Sequence, residues 1–440
     1  MILHKAGIHR RVADAAWRWV LDQVRWEDVL WIPASAAGPL DPESRDSMHS
    51  GVGGLAHVLS EIRSARPWTR EERRLADAIV EQVRGEVATT TDYTFFSGLT
   101  STIGVLTALD ATGSDAAVDR LIALSTPDGW PQEWLGTESF RSGSHIQDVV
   151  HGTAGVLLGA LWARRHGVAH ASALAEHAAG VLMAEAEELP TGLNWQRVPR
   201  RFHVTKIEQF PNFSHGLSGI ATALALAGAE LDRPDFTQAA ARGAAHLVAL
   251  SDPNHAGFTV PHRVPSRDPA VNEEFSYGWC HGPTGTSSLF LALHQAGVAD
   301  IAGAAPLAWH RRCLHGIRTS GLPARLRPGF WDNDGRCCGT AGVGEVFLDS
   351  HHRDGDPGDL EFALHLADTL VERAVLDGPH AYWRFLEHRA PDPLLPPGVG
   401  WMQGAAGIAA FLFRVGRVVD EGRQATTVPR MDTWWPSAPV

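Results

Sequence analysis

The sequence predicts an all-α fold of the α,α-toroid class, a double barrel of seven inner and seven outer helices. Two observations predict it: a Gly-x-x-Gly pattern that recurs along the chain, and an alternation of almost uncharged helices with amphipathic ones. Helices that are apolar all round are usually buried, whereas helices with one polar face lie at the surface. A ring of inner helices surrounded by outer helices accommodates both kinds.

The glycine pattern occurs six times in full and once in part, and small apolar residues follow each copy. The full copies are Gly51/Gly54, Gly152/Gly155, Gly216/Gly219, Gly282/Gly285, Gly339/Gly342 and Gly404/Gly407. In the partial copy, Ser101 stands where the second glycine would follow Gly98. Residues three apart share a helix face, so each pair leaves one face of the first turn without side chains. We therefore expect seven helix starts that pack closely together at one end of the fold.

Amphipathic stretches lie between the glycine copies. Thr69 and Glu72 have capping-box spacing, which predicts a helix that begins after Thr69 and runs to about Val87. Similar helices are expected near 114–125, 171–189, 235–250, 299–317 and 358–376.

We interpret residues 1–440 as one domain with a lead-in helix within about 1–45. Long rim loops are expected near 190–213, 251–279 and 377–400. Two tracts in these regions, 201–204 and 257–260, are expected as short hairpins or extended loops.

Composition excludes several classes of protein. The 440 residues carry a net charge of −12, which argues against nucleic acid as a partner because phosphate binding needs a basic face. No stretch approaches the ~18 uninterrupted apolar residues of a membrane span. The N-terminus lacks the apolar region of a secretory signal, so we expect a cytoplasmic protein. Four cysteines in so long a chain favour metal binding or catalysis over a disulfide scaffold.

Polar residues precede the first glycine of every copy: Ser50, Ser97, His151, His215, His281, Cys338 and Gln403. A single histidine at a helix start is more often a cap or a core residue, but the recurrence favours function. Cys280 and Cys337 stand one position further back. With Cys338 they could supply three thiolates to a tetrahedral zinc that keeps a fourth position open, which is typical of catalytic sites. The alternative is that these cysteines are small core hydrophobes, as we expect for Cys313.

These motifs resemble those of the lanthionine synthetase C-like cyclases. The resemblance is carried by Trp279-Cys280-His281-Gly282, Cys337-Cys338-Gly339, Ser214-His215-Gly216 and Gly404-Ala405-Ala406-Gly407. It implies an α,α-toroid that binds one Zn²⁺. Cys280 and Cys337 match two cysteine ligands of that family. Cys338 stands where most members have a histidine, which implies the minority branch with a Cys-Cys-Gly motif and three thiolate ligands.

The resemblance also implies the catalytic residues and the reaction. His215 matches a histidine proposed for proton transfer, and Asp148 matches an acidic residue near it. His281 replaces a frequent tyrosine and is a second candidate for proton transfer, while Ser276 replaces a frequent arginine. The implied reaction adds a peptide cysteine thiol to dehydroalanine or dehydrobutyrine and closes a thioether ring. The implied partners are a dehydrated precursor peptide, with a leader and a cysteine-containing core, and a separate dehydratase.

Two other functions fit parts of the sequence. One is a relative of these cyclases that adds or binds glutathione or another thiol. The other is an (α/α)-barrel enzyme that acts on carbohydrates, for which paired carboxylates are needed. Asp332, Asp334 and Glu133 are the candidates for that role.

Overall fold

A computed structural model describes residues 2–132, 135, 138–252, 257–265, 275–324, 331–387 and 391–432; for 2–6, 331, 332 and 387 it describes the backbone alone. The helices found in these residues are α1 (Ile2–Gln23), α2 (Leu55–Ala65), α3 (Arg70–Glu86), α4 (Leu99–Ala108), α5 (Ser114–Leu124), α6 (Thr153–Arg165), α7 (Ala171–Ala184), α8 (Leu217–Glu230), α9 (Pro234–Ala249), α10 (Pro283–Gln295), α11 (Pro306–Thr319), α12 (Thr340–Asp354), α13 (Pro357–Arg373) and α14 (Ala405–Glu421).

Short antiparallel strand pairs connect some of the helices. They are β1 (Arg25–Trp26) with β2 (Leu30–Trp31), β3 (Glu187–Leu189) with β4 (Gly192–Asn194), β5 (Trp331–Asp332) with β8 (Leu386–Glu387), and β6 (Val375–Asp377) with β7 (His380–Tyr382). None of the described helices is long and apolar enough to cross a lipid bilayer.

The chain divides into two compact units. The first unit comprises Met1–Val87, Gly104–Gly113 and Gly321–Pro439, and the second comprises Ala88–Ile103 and Ser114–Ser320. In the first unit, α14 packs against α1, α2 and α12, and α12 packs against α13. In the second unit, α8 packs against α6, α9 and α10, while α6 packs against α7 and α10 against α11. The single domain, lead-in helix and rim loops expected from the sequence stay predictions.

Within each unit, fully buried helices alternate with helices that keep one face exposed. In α8, every residue of 217–228 is buried, and in α10 every residue of 283–293 is buried. In contrast, α3 buries a stripe that includes Leu75, Ile79 and Val83 and exposes most of its charged residues. This alternation confirms the pattern expected from the sequence, since the helices without charge are the ones removed from solvent.

Each of the seven helix starts expected at the glycine copies coincides with an observed one. α4, α6, α8, α10, α12 and α14 begin immediately after the first glycine of their copy, and α2 follows a 3₁₀ turn that begins after Gly51. The cap at Thr69 is also confirmed. Its hydroxyl oxygen accepts from the Glu72 backbone N–H at 3.2 Å, and its own N–H donates to the Glu72 carboxylate at 2.7 Å. Both orphan donors of the first turn are thereby satisfied.

The second glycine of each pair leaves room for two neighbours. A Cβ atom on Gly219 would lie 2.0 Å from the carbonyl oxygen of Phe213 and 2.6 Å from a methyl of Val149. A Cβ on Gly285 would lie 2.0 Å from the Trp279 carbonyl oxygen and 2.8 Å from the Phe213 Cβ. The expected close approach of neighbouring helix starts is therefore present. The turn that precedes each helix makes the tighter contact, which the pattern alone did not predict.

Two predicted helix boundaries were wrong. The helix expected over 171–189 ends at Ala184, because Glu187–Leu189 pairs with Gly192–Asn194 in a hairpin. The helix expected over 299–317 begins only at Pro306, whose fixed φ suits the first helical turn. The tracts 201–204 and 257–260 contain no strand, and Arg200–Phe202 forms a 3₁₀ turn.

Candidate functional site

In the second unit, main-chain hydrogen bonds join consecutive helix starts at one equivalent position. The N–H of Val150 donates to the carbonyl oxygen of Ser214 at 3.3 Å, and the N–H of Ser214 donates to that of Cys280 at 3.0 Å. All three residues stand two places before the first glycine of their copy. These bonds fix the register between neighbouring turns. As a result, the histidines that directly follow these three residues lie side by side.

His151, His215 and His281 form a row of neighbouring rings with a fourth histidine, His262; we call this row the histidine ladder. The rings of His151 and His215 lie 5.5 Å apart between centroids and are nearly parallel, with 6° between their planes. His215 and His281 are also 5.5 Å apart, tilted by 39°. His262, from the loop before α10, places its ring 3.8 Å from that of His281. The predicted site residues His215 and His281 are therefore neighbours, and His262 is a member that the sequence did not indicate.

Asp148 binds two members of the histidine ladder, His151 and His215, through hydrogen bonds. Its side chain is fully buried, and one carboxylate oxygen accepts the backbone N–H of His151 at 2.7 Å. The other oxygen accepts from Nδ1 of His215 at 2.8 Å and from Nε of Arg197 at 3.1 Å. The predicted pair of Asp148 and His215 is therefore in direct contact. Since Nδ1 of His215 faces the carboxylate, Nε2 lies on the far side of a ring that is 26% exposed.

The charges of this cluster follow from burial and pairing. Burial would raise the pKa of Asp148, but the positive charges of His215 and Arg197 and the hydrogen bond from His215 lower it to about 2. Burial lowers the pKa of His151; His215 and Arg197 lower it further, against the opposing effect of Asp148. Burial, with the neighbouring histidines, also holds the pKa of His281 well below its usual value. Asp148 is thus an anion at neutral pH.

Arg197 is the functional candidate that sequence reasoning missed. It comes from the loop after β4, 49 residues from Asp148, and a lone arginine in a loop carries no periodic signal. Its carbonyl oxygen accepts the N–H of Gln147 at 2.8 Å, which ties the loop to the turn before α6. The donor atoms of Asp148, His151 and His215 lie within 4.8 Å of one another, as a metal site would require. The guanidinium already supplies the positive charge at that place, and it would repel a metal ion.

The cysteines stand at two helix starts, one in each unit. Cys280 precedes α10 and Cys337 precedes α12, both two places before the first glycine and both buried. The N–H of Cys337 donates to the carbonyl oxygen of Met402 at 2.9 Å, and the N–H of Met402 donates to that of His49 at 3.0 Å. The hydrogen-bonding position seen in the second unit therefore recurs in the first.

Cys337 and Cys338, two of the three cysteines expected to bind metal, are neighbours in the first unit, and Cys280, the third, belongs to the second. The sulfurs of Cys337 and Cys338 are 3.5 Å apart, close to the roughly 3.8 Å that separates two sulfurs on one tetrahedral zinc with Zn–S bonds of about 2.3 Å. Metal binding would require these cysteines to be present as thiolates. Cys313 is wholly buried on α11, where burial raises its thiol pKa, as expected of a core cysteine.

The carboxylates considered for carbohydrate chemistry do not form a described pair. Asp334 is buried and accepts from Arg373 at 2.7 Å and from the Thr340 hydroxyl at 3.2 Å. It therefore stabilises the start of α12. Glu133 and the side chain of Asp332 lie outside the described residues.

Comparison with solved structures shows a similar fold in a nisin cyclase. The two chains share 14% sequence identity over 85% of this chain and 89% of the other, with a TM-score of 0.57. Two further similar structures are a cellobiose 2-epimerase from Spirochaeta thermophila (14% identity, 94% and 96% coverage, TM-score 0.49) and a D-mannose isomerase (11% identity, 92% and 97% coverage, TM-score 0.49). The predicted fold class, an all-α fold of the α,α-toroid class, is confirmed.

Sequence comparison gives the family. Among curated proteins, no sequence matches this chain. A family model described as "Lanthionine synthetase C-like protein" matches residues 42–418, which is most of the chain. The match takes in all seven glycine copies and the cysteine and histidine positions described above. The chain therefore belongs to the lanthionine synthetase C-like family.

Proposed function

We propose that the protein is a zinc-dependent cyclase that adds a cysteine thiol of a dehydrated peptide to dehydroalanine or dehydrobutyrine. The observation that carries the proposal is the buried Asp148 carboxylate, which holds His215 through Nδ1 and leaves the rest of the ring partly exposed. An enolate, which must accept a proton at carbon, needs a placed proton donor of this kind. Family membership and the likeness to a nisin cyclase support the same reaction.

Cys280, Cys337 and Cys338 are the proposed ligands. As thiolates they would hold Zn²⁺, which keeps a position for substrate and lowers the pKa of a thiol that binds there. Three thiolates carry one negative charge more than two thiolates and an imidazole. That extra charge on the ligand set favours a more nucleophilic substrate sulfur.

The protein's own residues then manage the proton. The substrate sulfur attacks the β-carbon of the dehydro residue, a C–S bond forms, and the electron pair of the C=C bond moves onto the α-carbon and its carbonyl oxygen as an enolate. His215, held by Asp148, delivers a proton to the α-carbon. That proton replaces the one which the thiol lost, so the reaction is an isomerisation. The tilted ring of His281 lies beside that of His215 and helps to fix it.

The proposed partners follow from the substrate's chemistry. Dehydroalanine and dehydrobutyrine arise when serine and threonine lose water, so a separate dehydratase must act first on the precursor peptide. The proposed ligands must be reduced to bind metal, which fits the cytoplasm better than an oxidising compartment.

The test is a mass measurement on a dehydrated, cysteine-containing peptide. With reduced, zinc-loaded protein we expect the peptide's mass to stay constant while its reaction with a thiol alkylator disappears. A peptide that remains fully alkylated would rule out the cyclase. A mass gain on adding glutathione would instead show that the thiol donor is intermolecular.

Cysteine variants test the metal ligands separately. Cys280→Ala should lose zinc and cyclisation together, whereas Cys313→Ala, a matched control on α11, should keep both. Cys338→Ala should bind zinc less than stoichiometrically after dialysis against a chelator. Full zinc content with unchanged activity in Cys338→Ala would show that the proposed third ligand is a spectator.

A further inference from the structure

We infer that Arg197 fixes His151 as the neutral tautomer that carries its proton on Nε2, and that this N–H binds the enolate oxygen while His215 delivers the proton. The identity of the oxyanion rests on the proposed cyclase function, but the tautomer does not. In this assignment Arg197 is a positioning residue and His151 is catalytic.

The tautomer follows from the hydrogen-bonding capacity of the groups. Nη2 of Arg197 lies 3.4 Å from Nδ1 of His151. A guanidinium has donors only, so Nδ1 of His151 must accept, and the single proton of the neutral ring is left on Nε2. The nearest oxygen of Asp148 is 4.0 Å from the same Nδ1, too far to accept a hydrogen bond from it.

The Asp148 carboxylate makes different contacts with the two parallel rings of His215 and His151. Asp148 accepts Nδ1–H of His215 at 2.8 Å, a charge-assisted hydrogen bond that orients that ring. Arg197 contacts both Asp148 and His151, and its positive charge opposes an imidazolium at His151. One ring is therefore suited to carry a transferable proton and the other to act as a fixed neutral donor.

The spacing of the rings matches an enolate. The two rings are parallel within 6° and 5.5 Å apart, and both direct Nδ1 toward Asp148. Their Nε2 edges consequently face the same way, on side chains that are 35% and 26% exposed. The α-carbon and the carbonyl oxygen of a residue are about 2.4 Å apart, by standard bond lengths and angles. A substrate that lies across both edges can accept from His151 at oxygen while His215 reaches carbon.

A neutral donor suits this role. An N–H that is already oriented stabilises charge as it develops on oxygen, without reorganising during the step. The lowered pKa of His151, due first to burial and then to His215 and Arg197, agrees with a ring that stays neutral.

Kinetics test the catalytic half of the inference. His151→Phe should lower kcat for cyclisation by about 10²-fold with little change in KM, since removing one oxyanion donor typically has that effect. His151→Gln should recover part of the loss because its amide can donate. His315→Phe, on the exposed face of α11, is the matched control and should leave kcat unchanged. A His151→Phe enzyme with kcat within about twofold of the wild type would overturn the assignment.

Nitrogen NMR of the zinc-loaded protein tests the tautomer directly. With ¹⁵N-labelled histidine, the signals that disappear in His151→Gln should show a protonated Nε2 and an unprotonated Nδ1. In Arg197→Gln that preference should be lost. A proton found on Nδ1 of His151 in the wild type would refute the tautomer. If the wild type fails to cyclise any peptide, the proposed function and the enolate role fall together, while the NMR result still decides the role of Arg197.

Discussion

Asp148 and Glu345 are both buried carboxylates paired with arginine, yet their surroundings differ in one respect. The partners of Asp148, Arg197 and His215, are 31% and 26% exposed. The partners of Glu345 are arginines from its own unit, and each of them is no more than 3% exposed. In the proposed reaction the first carboxylate acts on a substrate proton through His215, whereas every arginine partner of the second is buried.

Glu345 belongs to a buried ion network in the first unit. Its members are Glu61, Glu345, Asp349, Asp432, Arg336, Arg414, Arg417 and Arg430. Burial would raise the pKa of Glu345, but Arg430, Arg414 and Arg336 lower it further than burial raises it. Arg430 lies near the end of the described chain and reaches both Glu61 and Glu345 at 3.0 Å. The network therefore joins α2, α12 and α14 to the segment that follows α14.

The difference between the Asp148 cluster and the buried ion network indicates which of the two is the better candidate for a reactive site. Both contain paired charges, and both hold a carboxylate ionised despite burial. Only the cluster around Asp148 adds an imidazole whose far edge reaches solvent. Exposure of one partner, rather than the strength of the pairing, is what makes the Asp148 cluster the candidate for proton transfer.

The largest expected effect sharpens the functional side of this comparison. His215→Asn should lower kcat for cyclisation by about 10²- to 10⁴-fold, the usual contribution of a general acid or base. The free energy of unfolding should change by less than about 1 kcal/mol, because the side chain is partly exposed. Steady-state kinetics and urea unfolding measure the two quantities. An active but unstable variant would mean that His215 is structural.

The next largest expected effect is on the free energy of unfolding, through the buried ion network. Arg414→Leu should lower the free energy of unfolding by about 3–5 kcal/mol, because Glu345 and Asp349 would each lose a buried partner. Arg165→Ala is the control; it removes a surface pair with Glu230 and should cost less than about 1 kcal/mol. Denaturant titration compares them. Equal losses of unfolding free energy in the two variants would mean that the buried pairs stabilise the fold no more than a surface pair does.

His57 gives the network a pH dependence of its own. It is 1% exposed, neither ring nitrogen has a hydrogen-bond partner among the described residues, and burial lowers its pKa to about 4. A base whose pKa is lowered in the folded state contributes no penalty above about 6.5 and costs stability as pH falls toward 4. The loss should reach about 3 kcal/mol, since one pKa unit equals about 1.4 kcal/mol.

The variant His57→Leu tests this by removing the titrating group. Its unfolding free energy, measured by urea titration at intervals from pH 7 to 4.5, should fall less steeply than that of the wild type. Parallel pH dependences would show that His57 is not the responsible group.

Asp148 should lower stability in the same direction, as pH falls, but over a more acidic range and with a smaller amplitude. Its folded pKa of about 2 lies below the unfolded value of 3.8, so its contribution is present above 3.8 and is lost as pH falls toward 2. Asp148→Asn should therefore be less stable than the wild type by about 2 kcal/mol at pH 7. The difference should narrow below pH 4. A difference that stays constant down to pH 3 would mean that the carboxylate charge is not what stabilises the fold.

The sequence predicted the helix starts because their requirements are local. A turn whose carbonyl oxygen lies 2.0 Å from where a Cβ would be, as at Gly219 and Gly285, tolerates only glycine, so the pattern marks such copies. His215 was found for the same reason, since it stands immediately before Gly216, whereas Asp148 came from the family resemblance alone.

Other residues could not be found in this way. Arg197 and His262 belong to loops, and their positions depend on how the loops fold back rather than on any spacing. The buried ion network was missed because Arg414 and Arg417 lie on α14 within an apolar helix, where single charges resemble a narrow polar face. The buried positive charge of Arg417 is balanced by Glu61, which is distant in the sequence. A buried charge can therefore be predicted only once its partner is known.

The hydrogen bonds between helix starts have a consequence for how such a chain can diversify. They link residues such as Val150, Ser214 and Cys280 by main-chain atoms alone, whatever number of residues separates them. Insertions or deletions in the intervening loops therefore leave the register of the helix starts intact. The loops can therefore change in length and sequence while the positions of the cysteines and histidines at the helix starts are kept.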